Sequence, residues 1–188
     1  MSTQVERRMP GEVGVWMFVF GDLALFGLFF GVYIQYRAMD PVTFSQSQDL
    51  LNVAYGAINT FFLLTSSWCV AVCVKAARAN EIEQAQNFLK AGFAFGLGFL
   101  VVKLVEYSEK ISAGYWLDTN DFFMYYFAYT GIHFVHFIVG MLVLIFLMFR
   151  ANAGFKGKDD VVLLESGATY WHMVDLLWIV LFPLLYLI

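Results

Sequence analysis

Five long apolar stretches constrain this chain of 188 residues more than any other feature. Each stretch is at least as long as the roughly 20 residues that a helix needs to cross the hydrocarbon core of a bilayer. They lie at about 13–36, 54–74, 88–107, 122–149 and 167–188. Hydrophobic residues make up 61% of the sequence, so the spans use most of the chain. The sequence therefore predicts an all-α, polytopic transmembrane bundle of five helices in a single membrane domain, 1–188, without a soluble catalytic domain.

The first stretch follows Arg7 and Arg8, an order that is also found in secretory signals. However, the stretch is about twice as long as a typical signal core. It also carries Asp22 near its middle, and no Ala-x-Ala site closes it. We therefore expect a retained first spanning helix.

Basic residues are unevenly distributed among the loops, and this asymmetry sets orientation under the positive-inside rule. Only Arg37 and Lys110 lie in the loops opposite the N-terminus, with Lys103 in the third span towards that face. The N-terminal side is predicted to hold eight basic residues: Arg7, Arg8, Lys75, Arg78, Lys90, Arg150, Lys156 and Lys158. The N-terminus is therefore predicted to be cytoplasmic and the C-terminus periplasmic, outside the cell.

Cys69 and Cys73 lie four residues apart in the second span. A disulfide between successive turns of a helix has poor geometry, and two thiolates without a third ligand make a poor metal site. Small residues suit helix contacts in membranes, so we expect both cysteines to serve packing.

Small and polar residues repeat on single helix faces, which predicts surfaces that contact protein rather than lipid. The third span has Gly92 and Gly96 in a small-xxx-small pattern. In the second span the repeat has a spacing of seven: Asn52, Asn59, Ser66 and Cys73.

Lys103 and Glu106 are three residues apart in the third span, so their side chains can meet on one helix face. Pairing would offset much of the roughly 2.5–3.5 kcal/mol that a lone charge costs at the centre of a membrane helix. The alternative is that Lys103 extends to the outer interface.

Polar side chains from all five spans are too many to leave facing lipid. We therefore predict a buried polar network that joins Lys103 to eight further residues: Asp22, Asn59, Glu106, His133, His136, Glu165, His172 and Asp175. His133 and His136 are predicted to share a helix face, and Glu165 and His172 lie on one face of the last span.

Haem binding, metal binding and proton or ion conduction are three alternative functions for such a network. A haem would need two imidazoles on opposite sides of one iron, for which only His172 with His133 or His136 is suitable. A zinc or two-metal site is disfavoured more strongly, because the Glu-x-x-His motif is absent. Proton or ion conduction is a stronger alternative, although no span has a proline at its middle. The fourth interpretation is structural, in which the network pairs helices and holds a lipid or a partner.

Four motifs, in order, resemble subunit III of the cytochrome c oxidase family in the haem-copper oxidase superfamily. They are N-T-F-F-L-L-T-S-S from Asn59, E-Y from Glu106, T-G-I-H-F-V-H from Thr130 and E-S-G-A-T-Y-W-H-M-V-D-L-L-W from Glu165. The resemblance extends from about Trp16 to the C-terminus.

The chain departs from the family pattern in three ways. Subunit III usually has seven helices, and this chain resembles a form without the first two, so the lipid-holding cleft that they help to form cannot be assumed. Asp22 stands where Glu is usual, and Lys103 stands where Gln commonly precedes the E-Y pair. Together with the opening M-P-G-E-V-G-V-W-M-F-V-F-G-D, these residues resemble the short branch associated with nitric oxide reductase.

The resemblance implies an accessory, non-catalytic subunit in the bacterial inner membrane, with no catalytic residue and no haem, copper or other metal of its own. Its partner would be a catalytic haem-copper subunit, with nitric oxide reductase favoured and cytochrome c oxidase second. Supporting assembly, stability or proton uptake would be its role. Phospholipid is the expected bound ligand, and no nucleic-acid partner is expected. The alternative function is a small proton- or ion-conducting membrane protein.

Overall fold

Each long apolar stretch folds as an α-helix, the form in which a segment in lipid satisfies its own backbone hydrogen bonds. The computed structural model describes residues 9–154 and 157–188. Within these ranges the helices are α1 (Val13–Met39), α2 (Pro41–Gln48), α3 (Val53–Arg78), α4 (Ile82–Ser112), α5 (Asp121–Asn152) and α6 (Lys158–Tyr186). All except α2 are long and apolar enough to cross a membrane. The prediction of an all-α bundle with five spans is confirmed.

The spanning helices extend beyond the predicted apolar stretches. The last one begins at Lys158 rather than near residue 167, and α4 begins at Ile82 rather than near residue 88. Asp159 and Asp160 occupy the first turn of α6, where carboxylates interact favourably with the helix dipole. Hydropathy marks the part of a helix inside hydrocarbon and therefore misses such charged first turns.

The short helix α2 was not predicted. Pro41 starts it, and the Asp40 carboxylate accepts a hydrogen bond from the backbone N–H of Thr43, which caps its first turn. Phe44 is buried on its inner side. The segment is polar and brief, so it lacks the periodic pattern that identifies longer helices.

Contacts at the two ends of the bundle show that the spans alternate in direction. Arg78 at the end of α3 meets Glu165 near the start of α6, close to Gly11. At the opposite end, Tyr55 at the start of α3 donates a hydrogen bond to Glu109 near the end of α4. Which end is cytoplasmic remains a prediction from the distribution of basic residues. Three of those residues lie outside the described ranges: Arg7, Arg8 and Lys156.

The last helix forms the centre of the bundle and packs against α1, α3 and α5. By contrast, α1 attaches along one narrow stripe, since its only buried residues are Val19, Phe26 and Tyr33, spaced by seven. Most of the remaining surface of α1 is exposed.

The seam predicted on the second span is buried at Asn59, Ser66 and Cys73. Asn52 is an exception, because its side chain caps the start of α3 by accepting a hydrogen bond from the N–H of Ala54. Cys69 is buried as well, and both cysteines are free thiols, in agreement with the packing interpretation.

Close helix contacts occur where the sequence provides glycine. A Cβ atom at Gly92 would lie 3.3 Å from the carbonyl oxygen of Ser66, so α4 and α3 approach backbone to backbone there. At Gly96 a Cβ would lie 2.7 Å from the Met141 sulfur, and at Gly140 one would lie 2.7 Å from the Trp171 ring. The predicted small-xxx-small contact on α4 is therefore present.

Candidate functional site

The C-terminal half of α4 contains a buried ion pair. Lys103 Nζ lies 3.0 Å from Glu106 Oε2, and the two side chains are 1% and 0% exposed. Their spacing of three places them on one face, directed at α5 and α6. The structure therefore shows Lys103 paired with Glu106, and Lys103 does not extend to the outer interface.

Two tyrosines complete the hydrogen bonding of this pair. Lys103 Nζ lies 3.3 Å from Tyr126 OH on α5 and 3.1 Å from Tyr186 OH on α6. Tyr186 OH donates to Glu106 Oε1 at 2.6 Å. The three N–H groups of an ammonium can thus be satisfied by one carboxylate and two hydroxyls, and the contacts join three helices.

Aromatic rings enclose the ammonium of Lys103. Their electron-rich faces attract a cation within about 6 Å of the centroid. Four rings have centroids 4.9 to 5.8 Å from Nζ: Tyr107, Tyr126, Trp178 and Tyr186. We call Lys103, Glu106 and these four aromatic residues the lysine cluster.

His133 joins α5 to α6. Its Nε2 lies 3.0 Å from the backbone oxygen of Val174, and the side chain is fully buried between Phe99 and Trp178. A ring nitrogen that contacts a backbone carbonyl and a ring that packs against aromatic residues together fix the position of this histidine.

His172 joins α6 to α3. Its Nδ1 lies 2.6 Å from Ser67 Oγ, and the buried Asp175 lies one turn further along α6. Among the described residues, neither polar atom of the Asn59 amide has a hydrogen-bond partner. Asn59 therefore belongs to the buried seam of α3 without a visible role in linking helices.

Glu165 connects three segments near the predicted cytoplasmic end. Its Oε1 lies 2.9 Å from Arg78 Nε on α3, and its Oε2 accepts the backbone N–H of Gly11 at 2.8 Å. Next to it, Ser166 Oγ accepts the N–H of Glu12 at 3.0 Å. These bonds fix the segment before α1 to the first half of α6.

Asp22 and His136 join α1 to α5. Asp22 Oδ2 lies 3.3 Å from His136 Nε2, and the side chains are 9% and 19% exposed. His136 Nδ1 lies 2.8 Å from the backbone oxygen of Ile132 within its own helix. His133 is directed at α6 and His136 at α1, so the expectation that the two histidines share one face is wrong.

The predicted residues are buried or half-buried, but they do not meet in one shared region. Glu165 and the Tyr186 contact of the lysine cluster are separated by about 30 Å along α6 at a rise of roughly 1.5 Å per residue. Separate clusters form at successive depths, and each joins two or more segments. The single network of the sequence analysis is therefore corrected to separate local contacts, most of them on α6 and one between α1 and α5.

Sequence reasoning missed four partners in these clusters: Ser67, Arg78, Tyr126 and Tyr186. Hydroxyl and aromatic residues are common in this chain, and their helical spacing alone does not distinguish a hydrogen-bonding tyrosine from a packed one. Arg78 was assigned only to orientation. Its position one turn after Lys75 did not reveal that it would reach α6.

The imidazoles belong to three different clusters. Within 9–154 and 157–188, no three His, Cys, Asp or Glu side chains are grouped so that they could hold a metal ion. The geometry instead supports helix pairing by hydrogen bonds and ion pairs.

Fold and clusters together define a polytopic helical membrane protein whose buried polar residues join its spans. The family model described as cytochrome c oxidase subunit III matches residues 4–188, and the chain belongs to that family. This confirms the family to which the four sequence motifs pointed.

Individual relatives agree with this assignment. The chain is 30% identical over 176 residues to cytochrome c oxidase subunit 3 of Synechocystis, covering 93% of this chain and 74% of the relative. It is 26% identical over 174 residues to cytochrome bo(3) ubiquinol oxidase subunit 3 of Buchnera aphidicola, covering 93% and 84%. A protein of Aeropyrum pernix named heme-copper oxidase subunit I+III is 26% identical over 181 residues, which are 22% of its length.

Proposed function

We propose that this chain is a non-catalytic subunit of a haem-copper oxidase in the bacterial inner membrane, where it packs beside the catalytic chain. The redox metals belong to that partner. The subunit supports the assembly and stability of the partner, or its proton uptake.

The observation that carries this proposal is that residues of the family-like motifs connect the helices to one another. Glu106, His133, Glu165 and His172 all contact another helix or the segment before α1. These residues shape and fix a membrane surface, which is what an accessory subunit contributes to a complex.

The names of the relatives favour an oxidase as the partner. They are subunits of a cytochrome c oxidase and a ubiquinol oxidase. The Aeropyrum relative carries the designation I+III in one protein. That name supports a position of this chain next to a subunit I type of partner.

Nitric oxide reductase, the partner favoured by the sequence motifs, becomes the second candidate. Its support is confined to Asp22, Lys103 and the opening motif. Asp22 pairs with His136 and Lys103 with Glu106, so both departures are accommodated by partners inside this chain. Neither residue therefore favours one catalytic partner over another by its geometry.

Isolation of the complex tests the proposal. We expect the tagged full-length chain, extracted from native membranes in mild detergent, to retain a haem-containing catalytic chain that mass spectrometry identifies. An oxidase or a nitric oxide reductase in that band decides between the two partners. Recovery of the chain without any haem-copper protein contradicts the proposal.

Reconstitution separates this function from proton or ion conduction. The purified chain alone in liposomes should leave an imposed pH gradient as slow to decay as in empty liposomes. A faster decay that is lost in Glu106→Gln would establish conduction through the lysine cluster instead.

A further inference from the structure

Between α1 and α3, the residues that the structure describes leave part of α6 uncovered. Two adjoining cavities of about 200 Å³ and 320 Å³ lie there and share Pro10, Thr169 and His172 in their walls. We call the combined depression, from Arg78 at one end to Leu176 at the other, the α6 groove.

One end of the α6 groove is polar and carries an accessible cation. Arg78 is 53% exposed, and its contact with Glu165 uses Nε rather than the two terminal guanidinium nitrogens. Both oxygens of Glu165 are already engaged, by Arg78 and by the N–H of Gly11. An arginine presented in this way matches a phosphate group in charge and in geometry.

The other end of the groove is apolar. Trp16, Phe20 and Leu23 of α1 form one wall, and Met173 and Leu176 of α6 form the floor. Aliphatic and aromatic side chains without a charge are suited to a hydrocarbon chain.

The length of the groove corresponds to one leaflet of a bilayer. From Glu165 to Leu176 the α6 axis advances about 16 Å at a rise of roughly 1.5 Å per residue. This is about half of the roughly 30 Å hydrocarbon thickness. With Arg78 at the end of α3 near the membrane surface, the groove runs from headgroup depth towards the bilayer centre.

We propose that the α6 groove binds one glycerophospholipid, with its phosphate paired to Arg78 and one acyl chain between α1 and α3 on the floor of α6. The site is built only from helices present in this chain. It is therefore distinct from a cleft that needs two additional N-terminal helices, and it does not depend on the proposed function.

Two larger cavities lack this combination of charge and apolar wall. A cavity of about 490 Å³ between α1, α5 and α6 is apolar, but its charged lining residue is Glu12. The cavity of about 630 Å³ at the start of α4 is lined by Glu81 and Glu83. At both places the charged lining residues are carboxylates alone, whereas the α6 groove has Arg78 beside Glu165.

Native mass spectrometry of the purified full-length chain tests the site, with phosphatidylglycerol as the added lipid. We expect one tightly retained lipid per chain, and about tenfold weaker retention in Arg78→Gln, since hydrogen bonds to charged groups are the strong ones. Lys75→Gln is the matched control, because Lys75 is a basic residue one turn earlier on α3 that lines a separate cavity. Its retention should match that of the unmodified chain.

A second pair of variants keeps the test independent of the Arg78–Glu165 contact. Ala71→Phe fills the α6 groove, whereas Val72→Phe places the same side chain on the wall of the separate cavity. Only Ala71→Phe should lose the lipid. In the unmodified chain, a diacylglycerol without phosphate should be retained about tenfold less tightly than phosphatidylglycerol.

Several results would overturn the proposal. Equal losses in Arg78→Gln and Lys75→Gln would indicate nonspecific attraction of lipid to a basic surface. Unchanged lipid retention in Ala71→Phe, together with loss of the catalytic partner in a pull-down, would identify the groove as the docking site of a partner helix. Because lipid retention is measured on the isolated chain, its failure is distinct from a failure to recover the partner.

Discussion

Lys103 and Glu106 form an ion pair that is enclosed within the helix bundle, with Nζ 3.0 Å from Oε2 and side-chain exposures of 1% and 0%. Removing one partner from a buried pair leaves the other charge uncompensated, which is costlier than replacing both. The two residues should therefore depend on each other strongly.

This dependence predicts the result of a double-mutant cycle. Lys103→Met and Glu106→Gln should each lower the free energy of unfolding by about 3–5 kcal/mol, and the double variant should lose much less than their sum. Thermal unfolding in detergent, followed by tryptophan fluorescence, measures the three losses. Lys90→Met removes an exposed lysine of the same helix and should change little. Strictly additive losses would contradict the coupling.

The contact between α5 and α6 predicts unequal effects of adding one methyl group. A Cβ at Gly140 would lie 2.7 Å from Cε3 of Trp171, whereas a Cβ at Gly131 of the same helix would meet nothing within 4 Å. We expect Gly140→Ala to destabilise the protein by about 1–3 kcal/mol through overpacking. Gly131→Ala should leave the unfolding midpoint unchanged or raise it, since alanine favours helix over glycine. Equal unfolding midpoints for the two variants would contradict the predicted clash between residue 140 and the Trp171 ring.

Orientation can be decided by labelling of single new cysteines. Ala79 and Asp118 are exposed in loops at opposite ends of the bundle, whereas Cys69 and Cys73 are buried. If the N-terminus is cytoplasmic, a membrane-impermeant maleimide should label Asp118→Cys in intact cells and Ala79→Cys only after permeabilisation. The unmodified chain provides the background, and the reverse pattern would invert the predicted topology.

The cap of α2 predicts a specific pH dependence. Hydrogen bonding to Thr43, first by its side-chain hydroxyl and then by its backbone N–H, lowers the pKa of the Asp40 carboxyl below its ordinary value. A lowered pKa means that the carboxylate stabilises α2 above the ordinary aspartate pKa, and that this contribution is lost as the pH falls through the lower, folded value. The Thr43 amide should therefore be protected from hydrogen exchange at neutral pH and should lose this protection only in acid.

Two variants separate the cap from general acid unfolding. Asp40→Asn keeps an accepting oxygen but cannot titrate, so protection of Thr43 should persist into acid. Asp40→Ala should lose protection at every pH. The same acid dependence in Asp40→Asn as in the unmodified chain would exclude Asp40 as the titrating group.

The extent to which the sequence predicted the site differs from one helix to another. The repeat at Asn59, Ser66 and Cys73 identified the buried face of α3, because lipid selects against polar residues on the opposite face. The spacing of Lys103 and Glu106 predicted their pairing, because residues three apart on a helix are neighbours. The partners across helices, such as Tyr186 for Glu106 and Ser67 for His172, were not predictable in this way.

The sequence by itself determined the number of spans, the helical class, the family and the polar faces of single helices. All of these follow from local periodicity and from the exclusion of polar groups by lipid. Only the tertiary structure decided that the polar residues separate into local clusters and that Arg78 reaches Glu165. It also decided that the described residues leave part of α6 uncovered between α1 and α3. The physical reason is that these contacts depend on the rotation and depth of one helix relative to another, which side-chain packing across the whole bundle sets.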